Sequence, residues 1–217
     1  MLIFMKNAKK FLGAGEKLSA LHYHAGHAFA ANSCSLIWTE DSSGREGSFD
    51  AESGARLEDV QMPDFDKVVP QVSKELAYAT VPVGEVAEFL ALLKAIHAGA
   101  AHSEATDYVL LVWHEDGFWM HVRGSKLRAD YTLSGKTHNL AADQVRYTAV
   151  CVKLLIPIVE YFRQRKAAIR FYASEKHRTA LRMDAAVDYA PASGAVLAPA
   201  FKLEEGRWDD VIPKATT

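Results

Sequence analysis

The sequence has few of the residues that mark secreted or membrane proteins. Its 217 residues include two cysteines, Cys34 and Cys151, too few for a disulfide framework and without Cys-x-x-Cys spacing. Both lie in or beside apolar segments, so we expect inert thiols in a reduced, cytoplasmic setting. No apolar run approaches the roughly 20 residues of a membrane span. The apolar run at the start is also too short for a signal sequence. We therefore expect a soluble protein with no membrane partner.

An excess of charge of one sign is also missing. The formal net charge is -2 at pH 7, with 24% charged and 49% hydrophobic residues. This composition is typical of a globular protein, and the length suffices for a buried core in one large or two small domains. A chain without overall positive charge binds nucleic acid only through a local patch.

Catalytic motifs are not evident. The nearest candidate is the histidine cluster His22, His24 and His27, which a strand and a turn could bring around a metal ion. No carboxylate of known ligand spacing accompanies it, and histidines beside a turn usually face solvent. No nucleophile-elbow sequence is present, and Gly13 and Gly15 lack the third glycine of a dinucleotide loop. We predict a non-enzyme without cofactor or metal, with a metal-dependent enzyme as a distant alternative.

The sequence does contain an internal repeat. Two successive segments follow the order strand, helix, strand, turn, strand, and a fainter copy precedes them. In the last copy we expect strands over residues 147–152, 168–173 and 179–183, a helix from about residue 154, and a closing strand over 195–201. Pro199 should leave that closing strand at a sheet edge.

The other two copies are interpreted in the same way. The middle copy predicts strands over residues 76–81, 108–113, 118–122 and 127–133, and a helix over 86–96 that ends at Gly99. The first copy predicts strands over residues 2–4, 18–24, 27–30, 35–39 and 47–49, and a helix over 5–12. Such units must pack their sheets against the apolar helix faces. The prediction is therefore an α+β fold, with helices on one face of mostly antiparallel sheets.

A proline-flanked segment, Pro-Asp-Phe-Asp-Lys-Val-Val-Pro, occupies residues 63–70. With the repeats, it resembles the bacterial sliding clamp family, the β subunit of DNA polymerase III. In that family a Pro-(Asp/Glu)-(Tyr/Phe)-x-x-Val-(Ile/Leu)-Pro connector leads into the last domain. Residues 76–203 resemble that domain in the order and spacing of their elements. Residues 196–203 are similar to its final strand, Val-Val-Met-Pro-Met-Arg-Leu, with one extra residue.

The resemblance implies a DNA-clamp fold and a division of the chain. We expect half a clamp domain at residues 1–60, a connector at 61–75, a complete clamp domain at 76–203 and a C-terminal tail at 204–217. A family subunit has three domains of two units each, and two subunits close a ring. Four chains of the present length would supply enough units, which predicts a homo-oligomer. The short length suggests a phage or mobile-element origin.

The resemblance also implies a function and its residues. The family's proteins hold double-stranded DNA non-specifically and dock DNA polymerase and other clamp-binding proteins through a short peptide. Matched to this sequence, the peptide pocket comprises Leu36, Pro63, Val68, Val196, Ala198, Pro199 and Ala200. Leu36 is the one residue retained from the family's Thr-Asp-Gly-His-Arg-Leu segment, and Ala198 and Ala200 would make the pocket wider or shallower.

DNA-facing residues are expected on the solvent faces of the helices. The candidates are Lys6, Lys9, Lys10, Lys94, Lys153, Arg163, Arg165 and Lys166. Sliding needs diffuse positive charge without base readout, which lysines and arginines on helices supply. Judged by themselves, these charges are equally typical of ordinary solvated helix faces, and Glu85, Glu88 and Glu160 lie on the same helices.

Two alternatives concern the function and the tail. The chain could be a processivity factor, or a clamp-fold adaptor or decoy that binds partners without encircling DNA. In the tail, Trp208 and residues 211–213 could lie over the chain's own peptide pocket and regulate it. The interpretation that we favour is a disordered or surface-docked terminus.

Overall fold

Helices and strands alternate along the chain in the computed structural model, which describes residues 1–14, 18–100, 107–124, 127–176, 178–186, 193–200 and 206–212. The helices are α1 (Leu2–Ala8, continued by a 3-10 turn at Lys9–Phe11), α2 (Phe65–Val68), α3 (Val86–Ala100) and α4 (Val152–Arg165). The strands are β1 (Ala20–His24), β2 (His27–Ala31), β3 (Ser35–Glu40), β4 (Gly47–Asp50), β5 (Arg56–Leu57), β6 (Tyr78–Val81), β7 (Tyr108–His114), β8 (Gly117–Arg123), β9 (Arg128–Ser134), β10 (Thr137–His138), β11 (Arg146–Cys151), β12 (Ala168–Tyr172), β13 (Leu181–Ala186) and β14 (Ser193–Leu197). Within these ranges, none of the helices has the length and apolarity to cross a membrane.

The strands form two antiparallel sheets. Sheet A has ten strands in the order β10-β6-β12-β13-β14-β3-β2-β1-β4-β5, and sheet B has four in the order β11-β7-β8-β9. The predicted α+β class with antiparallel sheets is confirmed.

The helices α1, α4 and α3 lie side by side, with α4 in the middle. Their apolar stripes share one core with the inward residues of both sheets. In α3, Val86, Phe89, Leu90, Leu93 and Ile96 are all buried at helical spacing, as the sequence predicts. The helices therefore cover one face of the sheets and leave the opposite, outer faces to other segments.

The second and third repeat units exchange their first strands. Strand β6 of the second unit pairs with β12 of the third, and β11 of the third pairs with β7 of the second. In the first unit, the corresponding place beside β1 is taken by that unit's own strand β4. The later two units therefore complete each other's sheets, whereas the first covers its edge with its own chain.

The pairing of β14 with β3 joins the third unit to the first. Five residue pairs connect the two strands, from Ser193 opposite Thr39 to Leu197 opposite Ser35. In the pair next to Ser193 and Thr39, a Cβ atom on Gly194 would lie 2.5 Å from the indole of Trp38. The Tyr161 hydroxyl of α4 donates a hydrogen bond of 3.1 Å to the Trp38 carbonyl. Sheet A is continuous across the two parts of the chain because of this junction.

Two helix boundaries differ from the sequence prediction. Residues 2–4, predicted as a strand, are helical, because Phe4, Ala8 and Phe11 reach the core at helical spacing. Helix α4 begins at Val152, ahead of the predicted start, and contains Pro157. Asp107 binds its first turn: the Asp107 carbonyl accepts from the Val152 amide at 2.8 Å and its carboxylate from the Lys153 amide at 3.2 Å.

The other corrections concern where elements end and how they pair. Strand β14 lies between β13 and β3, so its predicted place at a sheet edge was wrong. The strand ends at Leu197, so Pro199 never needs to donate a ladder hydrogen bond. Helix α3 continues to Ala100 and includes Gly99. Residue 201 of the expected closing strand lies outside the described ranges.

The Gly194→Ala substitution should destabilise the fold by about 1–3 kcal/mol, because the new methyl group would overlap the Trp38 indole. Urea unfolding followed by circular dichroism measures the change. Gly135→Ala is the matched control, since no atom lies within 4 Å of its Cβ position, and it should stay within about 0.5 kcal/mol of wild type. Equal stability of the two variants would contradict the close contact at this junction.

Candidate protein-binding and DNA-binding surfaces

The connector helix α2 packs on the outer face of sheet A. Alternation along β2 directs Ala28 and Ala30 into the main core and Phe29 to the outer face. Phe65 of α2 stacks on Phe29 with ring centroids 3.9 Å apart and is 3% exposed. We name this group of buried residues the outer cluster. It comprises Phe29, Ala31, Leu36, Trp38, Phe65 and Val196.

The outer cluster contains two of the predicted pocket residues. Leu36 and Val196 are opposite each other in the β3–β14 pairing and are both buried. Pro63 is half-buried in the connector, whereas Val68 is an apolar side chain with 44% of its surface exposed. Pro63 and Val68 thus lie in the connector, and Leu36 and Val196 lie in the strands beneath it. The apolar side chain of Val68 remains exposed to solvent.

The remaining predicted pocket residues follow β14 and diverge from one another. The Ala198 amide donates to the Cys34 carbonyl at 2.8 Å, next to β3. Pro199 is half-buried. The Ala200 amide donates to the Ala149 carbonyl of β11 at 2.8 Å, and its side chain packs on the outer face of sheet B. The structure therefore separates Ala200 from the outer cluster.

A cleft of about 220 Å³ opens beside α2. Its lining residues are His24, Ala25, His27, Phe29, Trp38, Phe65, Asp66, Val69, Gln71 and Arg182. The sequence did not single out this cleft. The alternation of Phe29 and Trp38 with residues of the main core was the available signal, but it does not identify the segment that covers them.

Arg182 of β13 forms a hydrogen bond with the end of the connector. Its guanidinium donates to both carboxylate oxygens of Asp184 and, at 2.8 Å, to the Pro70 carbonyl. It also lies 5.8 Å from the centre of the Trp38 ring. Asp184 is buried, so this pair is shielded from solvent and holds the connector close to β13 and β3.

The histidine cluster is divided between core and surface. His22 is fully buried, and its Nδ1 atom lies 2.9 Å from the Ser48 hydroxyl. His24 lies 3.5 Å from Glu46, and His27 Nδ1 lies 3.0 Å from the Ala25 carbonyl. Among the described residues, no three histidines, cysteines or carboxylates are grouped in a way that could hold a metal ion.

Glu160 lies at the centre of the solvent face of the helix layer. Its carboxylate is 2.7 Å from Lys10 and 3.9 Å from Lys94, so it connects α4 to the segments on both sides. The hydrogen bond from Lys10 lowers the pKa of Glu160, and the charges of Lys94 and Arg163 act in the same direction.

Five of the predicted DNA-facing residues surround this carboxylate. Lys10 and Lys94 contact it, Arg163 is one turn away on α4, Lys153 is two turns away, and Lys6 is one turn before Lys10. We call these five residues and Glu160 the cationic surface. Five positive charges and one negative charge give a local excess on a chain whose formal net charge is -2.

The other three candidates have different surroundings. Lys9 pairs with Glu52 at 3.0 Å. Arg165 donates to the Thr39 hydroxyl at 3.3 Å and lies 5.7 Å from the Tyr161 ring. Lys166 is exposed and ends α4 in a left-handed backbone conformation.

The acidic residues at the start of α3 lie elsewhere. Glu85 and Glu88 line a groove of about 360 Å³ between α3 and the edge strand β9, together with Tyr131 and Thr132. The negative charge of α3 is therefore concentrated beside β9, whereas Lys94 reaches Glu160 further along the helix.

The tail contacts one residue of the predicted peptide pocket and leaves the outer cluster uncovered. Residues Trp208, Val211 and Ile212 pack on the outer face of sheet B, with Leu110 and Val112 of β7. Ala200 of the predicted pocket packs in this cluster, whereas Leu36 and Val196 lie in the outer cluster, so residues 206–212 cover one edge of the predicted pocket and not its centre. Pro213 lies outside the described ranges.

Solved structures with this architecture decide the fold. The DNA polymerase III β subunit of Thermotoga maritima superposes with a TM-score of 0.70 over 93% of this chain, at 11% identity. The chain has the sliding-clamp fold. The sliding clamp of Bacillus subtilis gives a TM-score of 0.70 over 93% of the chain at 11% identity, and the β subunit of Streptococcus pyogenes gives 0.68 over 92% at 10%. No family model and no curated protein matches the sequence.

The resemblance to the sliding clamps that the sequence indicates is thus confirmed at the level of the fold. The chain spans 64% of the length of the Thermotoga protein and 63% of the Bacillus and Streptococcus proteins. The match therefore covers somewhat less than two thirds of each of these longer proteins.

Glu160→Gln should alter the dependence of stability on acid pH. Because the pKa of Glu160 is lowered in the folded state from its ordinary value of 4.5, its contribution to stability is present above that value and is lost as the pH falls through the folded value. Urea unfolding between pH 7 and pH 3 should therefore show the wild-type advantage over the variant shrinking towards pH 3. Glu88→Gln is the control, since its carboxylate lies in the groove beside Tyr131. A pH-independent difference for Glu160→Gln would contradict the pairing with Lys10.

Proposed function

We propose that this protein is a sliding clamp-like processivity factor that tethers a replicative polymerase to double-stranded DNA and docks client peptides at its connector. It has no catalytic role in this account. The observation that carries the proposal is the location of the cationic surface on the helix layer of a sliding-clamp fold. In this arrangement the helices face the DNA, and the outer faces of the sheets are available to protein partners.

The charge pattern supports non-specific DNA binding. The residues Lys6, Lys153 and Arg163 are exposed on the helix layer, and long flexible side chains adapt to phosphates at many positions. The Glu160 carboxylate pairs with both Lys10 and Lys94, which limits the net attraction of the cationic surface for DNA phosphates. Moderate attraction without base contacts suits a protein that moves along the duplex.

The connector supports peptide docking. Its helix α2 covers the outer cluster but leaves Val68 exposed, and the cleft beside it offers the aromatic side chains of Phe29 and Trp38. An apolar side chain of a client peptide could bury against such a surface, as short anchor peptides do in apolar grooves. We propose this region, with Leu36, Pro63 and Val196 at or beneath it, as the docking site for polymerase and other clamp-binding proteins.

The uncovered edges of the two sheets indicate where a second chain could pair. Among the described strands, β9 is a seven-residue edge of sheet B, whereas sheet A ends in the two-residue strands β5 and β10. The other edge of sheet B, β11, receives the backbone of Ala200. A second chain could therefore add to β9 by strand pairing, and we propose a homo-oligomer in which four chains supply the units of a complete ring.

The second candidate is an adaptor that binds partners without encircling DNA. The closed edge of the first unit favours it: β4 takes the position beside β1 that other units give to an exchanged strand. Extension of the sheet by strand exchange is not available at that position. In this case the connector would still bind clients, and the cationic surface would be a solvated face.

DNA affinity should follow the charge of the cationic surface. Removing two phosphate contacts by Lys6→Ala with Arg163→Ala should make the plot of log Kobs against log salt shallower by about 2, and weaken binding at each salt concentration. Glu160→Gln should strengthen binding, because it removes the one carboxylate of the surface. Fluorescence anisotropy with a labelled duplex measures both.

Lys67→Ala is the control for these variants. Lys67 pairs with Asp64 at 2.7 Å in the connector, on the opposite face of sheet A from the helices. Its removal should leave DNA affinity unchanged. If Lys67→Ala weakens binding as much as the double variant, or if Glu160→Gln has no effect, the helix layer is not the DNA-binding face.

A further inference from the structure

The C-terminal segment, residues 206–212, lies on the outer face of sheet B. Alternation along β7 places Val109 and Leu111 in the main core and Leu110 and Val112 on this outer face. The Trp208 indole covers Leu110, Val112 and Ala149 and is 3% exposed. A large aromatic residue from outside the repeat units thus shields an apolar patch that the sheet itself leaves open.

Charged groups fix the segment beside this patch. The Asp210 carboxylate accepts from Arg123 Nε at 3.0 and 3.2 Å and from Arg128 Nη2 at 3.2 Å. Arg123 is 8% exposed and pairs on its other side with Asp130 at 2.7 Å. The two arginines therefore form a carboxylate-binding pair at the rim of the apolar patch, and a nearly buried guanidinium lies within it.

The backbone of residues 208–212 forms one turn that presents several side chains to the sheet. The amides of Val211 and Ile212 both donate to the Trp208 carbonyl at 2.9 Å, so a single turn presents them on the sheet. The resulting order is an aromatic residue at 208, a carboxylate at 210 and aliphatic residues at 211 and 212. An aromatic anchor in an apolar pocket with a charged rim is how short peptides are recognised.

A second cleft lies next to the segment. Its volume is about 460 Å³, with Asp210 and Val211 on one side and Trp119 and His121 on the other. His121 Nδ1 lies 2.6 Å from the Asp130 carboxylate, which lowers the conformational freedom of the imidazole. A peptide longer than the segment could contact Trp119 and His121 in addition to the apolar patch.

We propose that the outer face of sheet B is a second peptide-binding site, separate from the connector, and that the chain's own residues 206–212 occupy it until a partner displaces them. The partner carries an aromatic residue, a carboxylate two positions later and then aliphatic residues, the chemistry that Trp208, Asp210 and Val211 exhibit. A tethered segment has an effective concentration of roughly millimolar, so a partner must gain contacts that the segment does not make. The cleft beside Trp119 supplies them. This inference is independent of DNA binding.

The test uses a fluorescein-labelled peptide with the sequence of residues 206–212, Gly-Arg-Trp-Asp-Asp-Val-Ile, titrated with full-length protein. Trp208→Ala removes the aromatic anchor of the chain's own segment and leaves the sheet intact. The peptide should bind this variant about 10-fold or more tightly than it binds wild type, because the internal competitor is weakened. A peptide with alanine at the tryptophan position should not bind either protein.

Circular dichroism and thermal unfolding show whether Trp208→Ala folds. If it does not fold, two further variants still test the proposal. Asp210→Asn retains the indole and loses the charge that pairs with Arg123 and Arg128, so it should also strengthen peptide binding relative to wild type. Asp209→Asn is the matched control, since Asp209 is exposed, and should bind the peptide as weakly as wild type. Equal peptide affinity for wild type, Asp209→Asn and Asp210→Asn, or undiminished binding of the alanine peptide, would overturn the proposal.

Discussion

The pairing of β14 with β3 is the contact on which the rest of the structure depends. It joins the last repeat unit to the first and makes ten strands a single sheet. The same register sets Val196 opposite Leu36 and provides the surface on which the connector helix lies. Only glycine at position 194 allows the Trp38 indole to lie flat across this junction. A substitution at this position would displace Trp38, which packs in the outer cluster beneath the connector. It would also disturb the position of α4, because Tyr161 is hydrogen-bonded to Trp38.

The two faces of the sheets serve different purposes in this account. On one face the helices present positive charge around a single shared carboxylate, Glu160, although the chain as a whole is slightly acidic. On the other face, short segments cover apolar patches: the connector covers sheet A and the tail covers sheet B. Both segments bind by an aromatic anchor, Phe65 or Trp208, next to a fixed arginine, Arg182 or Arg123. Local charge and local apolar surface, rather than overall composition, therefore distinguish the proposed DNA-binding face from the proposed protein-binding face.

Local patterns in the sequence predicted most of the elements and the fold class. The apolar stripe of α3 and the neighbouring strands β7 and β8 depend on residues close in the chain and could be predicted directly. The connector at residues 63–70 was recognised by its resemblance to the clamp family. Contacts between distant residues could not be predicted in this way. The exchange of β6 and β11, the interior position of β14 and the docking of Trp208 depend on which segments meet in space. Leu36 and Val196, assigned to one pocket by resemblance, are paired across β3 and β14, and their role in peptide binding stays a prediction. The sequence did not indicate the cleft beside α2 or the contacts of Arg182.

A protein that encircles DNA is retained on a closed circle by topology, so retention on such a circle tests the proposed ring most directly. The protein would be assembled on a nicked circular plasmid, with whatever loading factor proves necessary, isolated by gel filtration in high salt, and then exposed to a single-cutting nuclease. If the protein forms a ring, it should stay on the circle at high salt and leave once the DNA is linear, because topology and not charge retains it. Release from circular and linear DNA at the same rate would contradict the clamp account and leave the adaptor as the better description.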